Sequence, residues 1–237
     1  MDTGILEKGL LELGSPVSDD ILKKFGIYFH MLEEKNKVMN LTAISGEEDV
    51  SRLHFLDCLC IMKYADFKGK TAVDIGSGAG FPGLPIKIME PDLELKMIDS
   101  LNKRVKFLNE VIAEAELSGA QAVHGRAEEE ALKKENRDSF DYALSRAVAR
   151  LPVLTELCLP YVKPGGKFIA MKSTDSEEEI NEAKAAVKLL GGHVQKIEDY
   201  RIPETDVVHR AVIIEKVSPT PKGYPRRFAK IQQSPIK

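Results

Sequence analysis

Asp74-Ile75-Gly76-Ser77-Gly78-Ala79-Gly80-Phe81-Pro82-Gly83 follows the apolar run Thr71-Ala72-Val73 and leads into a segment opened by Pro82 and Pro85. Such a strand–loop–helix passage places a glycine-rich turn at the carboxyl end of a strand, where open α/β sheets bind ligands. Glycine suits the turn because a Cβ would hold a ligand away from the backbone. Dinucleotide enzymes use a similar loop, but their Gly-x-Gly-x-x-Gly spacing suits a pyrophosphate. Here the spacing is Gly-x-Gly-x-Gly. Asp74, on the strand before the first glycine, would crowd a pyrophosphate, whereas it can orient the loop near a cationic sulfonium ligand. The reading favours S-adenosylmethionine over NAD.

Working outward, strands are expected at Thr71–Gly76, Leu93–Asp99, Ala120–Gly125, Phe140–Ser145, Lys167–Lys172, His193–Arg201 and Val207–Lys216. Helical stretches separate the first six, which implies a parallel sheet covered on both faces. Only Ile202–Asp206 divides the last two, so an antiparallel edge hairpin is expected. This is a Rossmann-like α/β layout of seven strands, that of the class I S-adenosylmethionine-dependent methyltransferases. Upstream, residues 1–66 read as a helical region. Ser18 can cap a helix carrying Ile21, Leu22, Phe25, Phe29 and Leu32, and Asn40-Leu41-Thr42 interrupts it. Ser45-Gly46-Glu47-Glu48 has capping-box form for a further helix through about Met62. Residues 67–217 form the expected cofactor domain, and 218–237 a basic tail.

The second strand ends in Asp99-Ser100, about twenty residues beyond the glycines, where a carboxylate can accept both ribose hydroxyls. The third ends in Gly125-Arg126-Ala127-Glu128, where this fold holds adenine; Glu128 could instead begin an acidic helix face. Arg146 and Lys172 end the fourth and fifth strands and are the candidate catalytic residues, although Arg146 could form a strand-end salt bridge with Asp141 or Glu156. The candidate cofactor residues are Asp74, Gly76, Ser77, Gly78, Gly80, Phe81, Asp99, Ser100, Ala127, Glu128 and Arg146. Lys103 and Arg104 begin a helix, an unfavourable end for cations, which points to an anionic ligand. His54 and Asp57, three apart on a helix, share a face.

The residues after the fourth strand, Ala143 to Ala149, lack the Pro-Pro-aromatic motif common in methylation of exocyclic amino groups. Methylation of a pyrimidine C5 needs a cysteine nucleophile. Cys58, Cys60 and Cys158 lie before the cofactor domain or within an expected helix, where core packing is the simpler role. What remains is an acceptor with a ready lone pair, such as a purine ring nitrogen. The odd cysteine number without a Cys-x-x-Cys pair argues against disulfides and a zinc site. No bound metal is expected. No apolar run reaches the roughly 20 residues that span a bilayer, and Asp2, Glu7, Lys8 and Glu12 leave no signal-peptide core, so a cytoplasmic, membrane-free, monomeric protein is expected.

The net charge of −3 conceals an asymmetry. Lys222, Arg226, Arg227, Lys230 and Lys237 stand among the last 21 residues without an acid, while the rest carries 29 basic against 37 acidic side chains. The tail therefore suits a polyanion contact or a solubilising end. Its removal is expected to weaken RNA association while leaving cofactor affinity nearly unchanged.

Together these landmarks resemble the bacterial ribosomal RNA small subunit methyltransferase G family, also called glucose-inhibited division protein B. The resemblance runs through Asn36 with Asn40-Leu41-Thr42, His54-x-x-Asp57, the Asp74–Pro85 loop, Asp99-Ser100-x-x-Lys103-Arg104-x-x-Phe107-Leu108, Gly125-Arg126-Ala127-Glu128 and Arg146-Ala147-x-Ala149. It closes with Thr220-Pro221-Lys222-x-Tyr224-Pro225-Arg226-Arg227. It implies N7 methylation of one guanine of 16S ribosomal RNA, free or in the small subunit. It also implies cofactor contacts at Gly76, Phe81, Ala127, Glu128 and Arg146. The candidate RNA-binding residues are Asn40, His54, Lys103, Arg104, Lys222, Arg226 and Arg227. Lys35, Cys58, Ala229 and Ile231 depart from the family pattern. Two rival readings stay open: a methyltransferase acting on a small molecule or protein, and a catalytically silent RNA-binding protein.

Overall fold

The computed structural model describes residues 3–236. Two helices, α1 (Gly4–Glu12) and α2 (Asp19–Met39), lead the chain. Ser18 caps α2 by accepting the Ile21 amide at 3.3 Å, and Asn40 ends it in the left-handed region at φ 48°. The next helical run does not form the expected capping box. Gly46, at φ 86°, is its N-cap and has no side chain to close it; Glu48 pairs instead with Arg52, and Glu33 of α2 takes the Gly46 amide at 3.2 Å. That run passes through α3 (Glu47–Val50), a wider π-type stretch (Ser51–Leu56), α4 (Asp57–Leu59) and a tight 3₁₀ end (Cys60–Tyr64).

The alternating portion follows as β1 (Thr71–Ile75), α5 (Gly83–Met89), β2 (Glu94–Asp99), α6 (Asn102–Glu114), β3 (Ala120–His124), α7 (Ala127–Glu130), β4 (Phe140–Arg146) and α8 (Leu151–Cys158). Then come β5 (Val162–Ser173), α9 (Glu177–Leu189), β6 (Gly192–Arg201), β7 (Val208–Lys216) and α10 (Phe228–Gln233). The seven strands make one sheet in the order β3-β2-β1-β4-β5-β7-β6. β7 runs antiparallel to both β5 and β6, and the pairs among β1 to β5 are parallel. The expected strands and edge hairpin are thus present. β5 begins earlier than expected because Val162 already pairs with Phe140, ahead of a register shift.

Alternate strand residues feed two cores, as the two-residue period of a strand requires. Ala72, Leu144, Ile169 and Ile213 join the N-terminal helices, α5 and α6 on one face. Val73, Ala143, Phe168, Val212 and Ile214 join α8, α9 and Ile231 of α10 on the other. The N-terminal helices therefore share a core with the sheet. None of the described helices is long and apolar enough to cross a membrane.

The final segment is docked along the body. Lys216 is wholly buried and its ammonium reaches Asp138 (2.8 Å), the Leu159 carbonyl (2.8 Å) and the Thr220 hydroxyl (2.6 Å). Arg137 donates to the carbonyls of Thr220, Pro221 and Tyr224. Ile231 is fully buried, so this departure from the family pattern fills the core; Lys237 lies outside the described residues. Removing the cation of such a latch strands its partners, at a cost of about 3 kcal/mol for a partly exposed carboxylate. Lys216→Met should lower the denaturant midpoint accordingly; an unchanged midpoint in urea would show that the latch contributes nothing.

Candidate active site

The glycine loop is held from below and from the side. Asp74 is fully buried, and one carboxylate oxygen accepts the Gly83 amide at 3.0 Å while the other has no partner among the described residues. Burial pushes its pKa up to about 7. Ser77 turns inward and donates to the Asp74 carbonyl. Asp99 accepts the amides of Gly78 (2.9 Å) and Leu101 (2.8 Å). Tyr28 of α2 donates to the Ala79 carbonyl at 2.6 Å. Gly80 sits at φ 108°, and a Cβ there would stand 2.5 Å from Leu84 and 2.7 Å from the Tyr28 hydroxyl, so glycine is required for this close approach.

Beside the loop lies a cavity of about 150 Å³ lined by Gly76, Ser100, Gly125, Ala127, Glu128 and Phe228, among others. These donors fit S-adenosylmethionine. Backbone approaches at the two glycines, the apolar side chains Ile98 and Leu157 would offer contact to a flat ring, and Glu128 supplies a carboxylate that is buried to 6% exposure and has no hydrogen-bonding partner among the described residues. Val148 closes the opening near Gly76, where an added Cβ would meet it at 2.7 Å. Asp74, Ser77 and Asp99 shape the loop through these contacts, whereas Gly76, Ser100, Ala127 and Glu128 face the cavity.

A second, larger pocket of about 590 Å³ opens on the other side of the β4 end, lined by His54, Asp57, Arg146, Ala147, Lys172 and His209 among others. Its frame is Asp57, whose side chain is wholly inaccessible. One oxygen takes Arg146 at 2.8 Å; the other takes Tyr200 and His209, both at 2.9 Å. Burial alone would raise the pKa of Asp57, but the His209 hydrogen bond and the Arg146 charge outweigh it and hold the carboxyl below its usual range. The bond to Asp57 raises the pKa of His209 above the ordinary histidine value. His54 behaves oppositely: burial, then the adjoining Arg146 charge, bring it down to about 3. A guanidinium only donates, so Nδ1 of neutral His54 accepts from Arg146 (2.6 Å) and its Nε2–H faces the Thr42 hydroxyl (2.7 Å). Asn36 pairs with both backbone groups of Thr42 and fixes that hydroxyl in place. Phe81 lies between the two sides: His54 stacks on it at 4.2 Å and the Arg146 guanidinium stands 4.8 Å from its centroid.

Arg146 therefore pairs with neither of its expected alternatives. Asp141 binds Thr71 and Lys163, and Glu156 binds Arg226. Lys172 joins Arg146 at the pocket, bonded to Glu179 (2.9 Å) and the Ala149 carbonyl (2.7 Å). Of the expected RNA contacts, Asn40, Lys103, Lys222 and Arg227 are exposed. Arg104 leans on Asp99 at 3.4 Å, and Arg226 is bidentate on Glu156. His209, Tyr200, Val148 and Phe228 escape sequence reasoning; only the histidine, on the outer hairpin, carried a chemical signal. All three cysteines are buried. Burial raises each thiol, that of Cys60 to about 12, which leaves no thiolate for carbon methylation.

The family model for rRNA small subunit methyltransferase G matches residues 21–208. The chain belongs to this family. The "Ribosomal RNA small subunit methyltransferase G" of Lachnoclostridium phytofermentans is 48% identical over 236 residues, covering 99% of this chain and 98% of that one. Its Clostridium tetani counterpart is 46% identical over 234 residues, covering 98% of each. Solved structures show the same fold at low identity. TrmN from Thermus thermophilus is similar with TM-score 0.53 and 18% identity, over 68% of this chain and 48% of that one. P. horikoshii TYW2 in complex with MeSAdo gives TM-score 0.54 and 19% identity, over 68% and 62%. The fold is that of the class I methyltransferases.

The raised pKa of Asp74 has a definite stability signature. A carboxyl titrating near 3.8 when unfolded and about 7 when folded binds its proton more tightly in the native state. Its contribution to stability is therefore fully present at acid pH and is lost as pH rises between those values. Asp74→Asn removes that term, so the stability of wild type relative to the variant should decline from about pH 4.5 to about pH 7.5. Urea titrations at both pH values check this; a constant or rising difference would mean that Asp74 is already ionised at the lower pH.

Proposed function

We propose that this chain transfers the methyl group of S-adenosylmethionine to N7 of one guanine of 16S ribosomal RNA. The observation that carries the reading is the segment after β4. Arg146 and Ala147 line the larger pocket, while Val148 lines the glycine-side cavity. One short stretch of backbone is thus the common wall between the glycine-side cavity and a basic pocket. The names of the full-length relatives, which specify ribosomal RNA of the small subunit, supply the acceptor polymer.

Bound at Gly76, Ser100, Ala127 and Glu128, the cofactor supplies an electrophilic methyl on a sulfonium. Guanine N7 offers an in-plane lone pair and no proton, so the protein's task is orientation and charge placement rather than base catalysis. Arg146 is held by Asp57, His54 and the Leu53 carbonyl. Those bonds leave roughly two of its five N–H groups for a guanine O6 edge or phosphate. Lys172, with two protein acceptors, has roughly one N–H left. Exposed Lys103, Lys222, Arg227 and Asn40 suit contacts to the RNA backbone.

Labelled cofactor incubated with free 16S RNA and with small-subunit particles should place the methyl on one guanine N7, located by cleavage mapping. Label on another base atom would overturn the acceptor. Single-turnover rates at saturating cofactor should vary little between about pH 6.5 and 8.5, and Arg146→Ala should slow them throughout. Any shallow bend should trace to His209 and vanish in His209→Gln. A tenfold rise per pH unit surviving that change would indicate an acceptor that must lose a proton.

A further inference from the structure

Among the described residues lining the glycine-side cavity, Phe228 alone comes from beyond β7. Its position is set by anchors on both sides. Upstream, Arg226 makes bidentate contact with Glu156, whose side chain is wholly buried on α8. Downstream, Ile231 is fully buried in the core formed with Leu151 and Leu154. Three residues apart on α10, Phe228 and Ile231 share a face. Phe228 thereby lines the cavity together with Leu157, Ala127 and Glu128. Lys222, Arg227 and Lys230 of the same segment are exposed.

We propose that Phe228 is a cofactor-binding residue that closes the cavity by stacking on the adenine ring, so that the C-terminal segment is a wall of the cofactor site as well as a cationic surface. The inference rests on reading this cavity as the S-adenosylmethionine site. The phenyl ring shares the cavity lining with Ile98 and Leu157 and carries no polar atom, the surroundings that a purine face needs while a carboxylate such as Glu128 engages its edge. It reverses the expectation that residues 218–237 can be removed without effect on cofactor affinity. The cations and the phenyl ring occupy one docked segment, and deletion removes both.

Calorimetry on the full chain with S-adenosylhomocysteine tests this. Stacking of a base on an aromatic ring is lost on truncation, so Phe228→Ala should weaken binding about tenfold or more. Phe228→Leu keeps the apolar filling and the thermal midpoint yet should remain weakened, while Phe228→Tyr should bind as wild type does. Wild-type affinity in folded Phe228→Ala or Phe228→Leu would overturn the inference alone. No binding by wild type would overturn the cofactor reading and this inference with it.

Discussion

A carboxylate with no access to water must be neutralised by its neighbours, and the site is organised around one such group. Asp57 is reached by the guanidinium of Arg146 from β4, the imidazole of His209 from β7 and the phenol of Tyr200 from β6. Removing one partner from a buried ionic cluster is costly because the remaining charge has no solvent to turn to. Each partner is therefore bound to its place by the others. The N-terminal helical run, the middle of the sheet and its outer hairpin meet at a single residue. The helices before β1 thus form part of the pocket and belong to the same core.

The loop beneath the cofactor cavity obeys a related constraint. Its shape is imposed by groups that do not line the cavity: Asp74 on the Gly83 amide, Asp99 on the Gly78 amide and Tyr28 on the Ala79 carbonyl. Polar side chains that would otherwise bear the cost of burial are used to fix backbone. The cavity itself is then lined by glycine, alanine and apolar side chains, with Ser100, Arg126 and Glu128 as its polar groups. Ala147, which lines the larger pocket, adds strain at φ 55°, a conformation that costs an L-residue about 1 kcal/mol or more and that persists where surrounding structure enforces it.

Periodicity was legible in the sequence because it is a local property. All seven strands lie where alternation and spacing indicate, and the carboxyl-end residues Asp99, Glu128, Arg146 and Lys172 follow from the strand ends. Ser18 is read correctly as a cap because the amide it accepts, that of Ile21, lies three residues away. Ser45 is misread because the N-cap falls on Gly46, whose amide is taken by Glu33, 13 residues upstream of it. Long-range pairing escaped for the same reason. The partner of Arg146 is 89 residues distant in sequence, and His209 is 152 residues from Asp57. The last twenty residues were the hardest to read, since Arg226 looks solvated until Glu156 is seen beneath it.

That last ion pair bears on how the molecule is made. Chains fold as they are synthesised, generally from the N-terminus, at about 5–20 residues per second. Glu156 faces a site that Arg226 fills, 70 residues later in the sequence. Until residue 226 clears the ribosome, α8 carries a carboxylate whose native surroundings exclude water and lack its counterion. The sheet up to β5 can assemble early, but the native packing of α8 has to wait for nearly the whole chain. Closure of α8 is in this way tied to a segment made 70 residues after it, and a nascent chain that has not yet extruded that segment leaves Glu156 without its counterion.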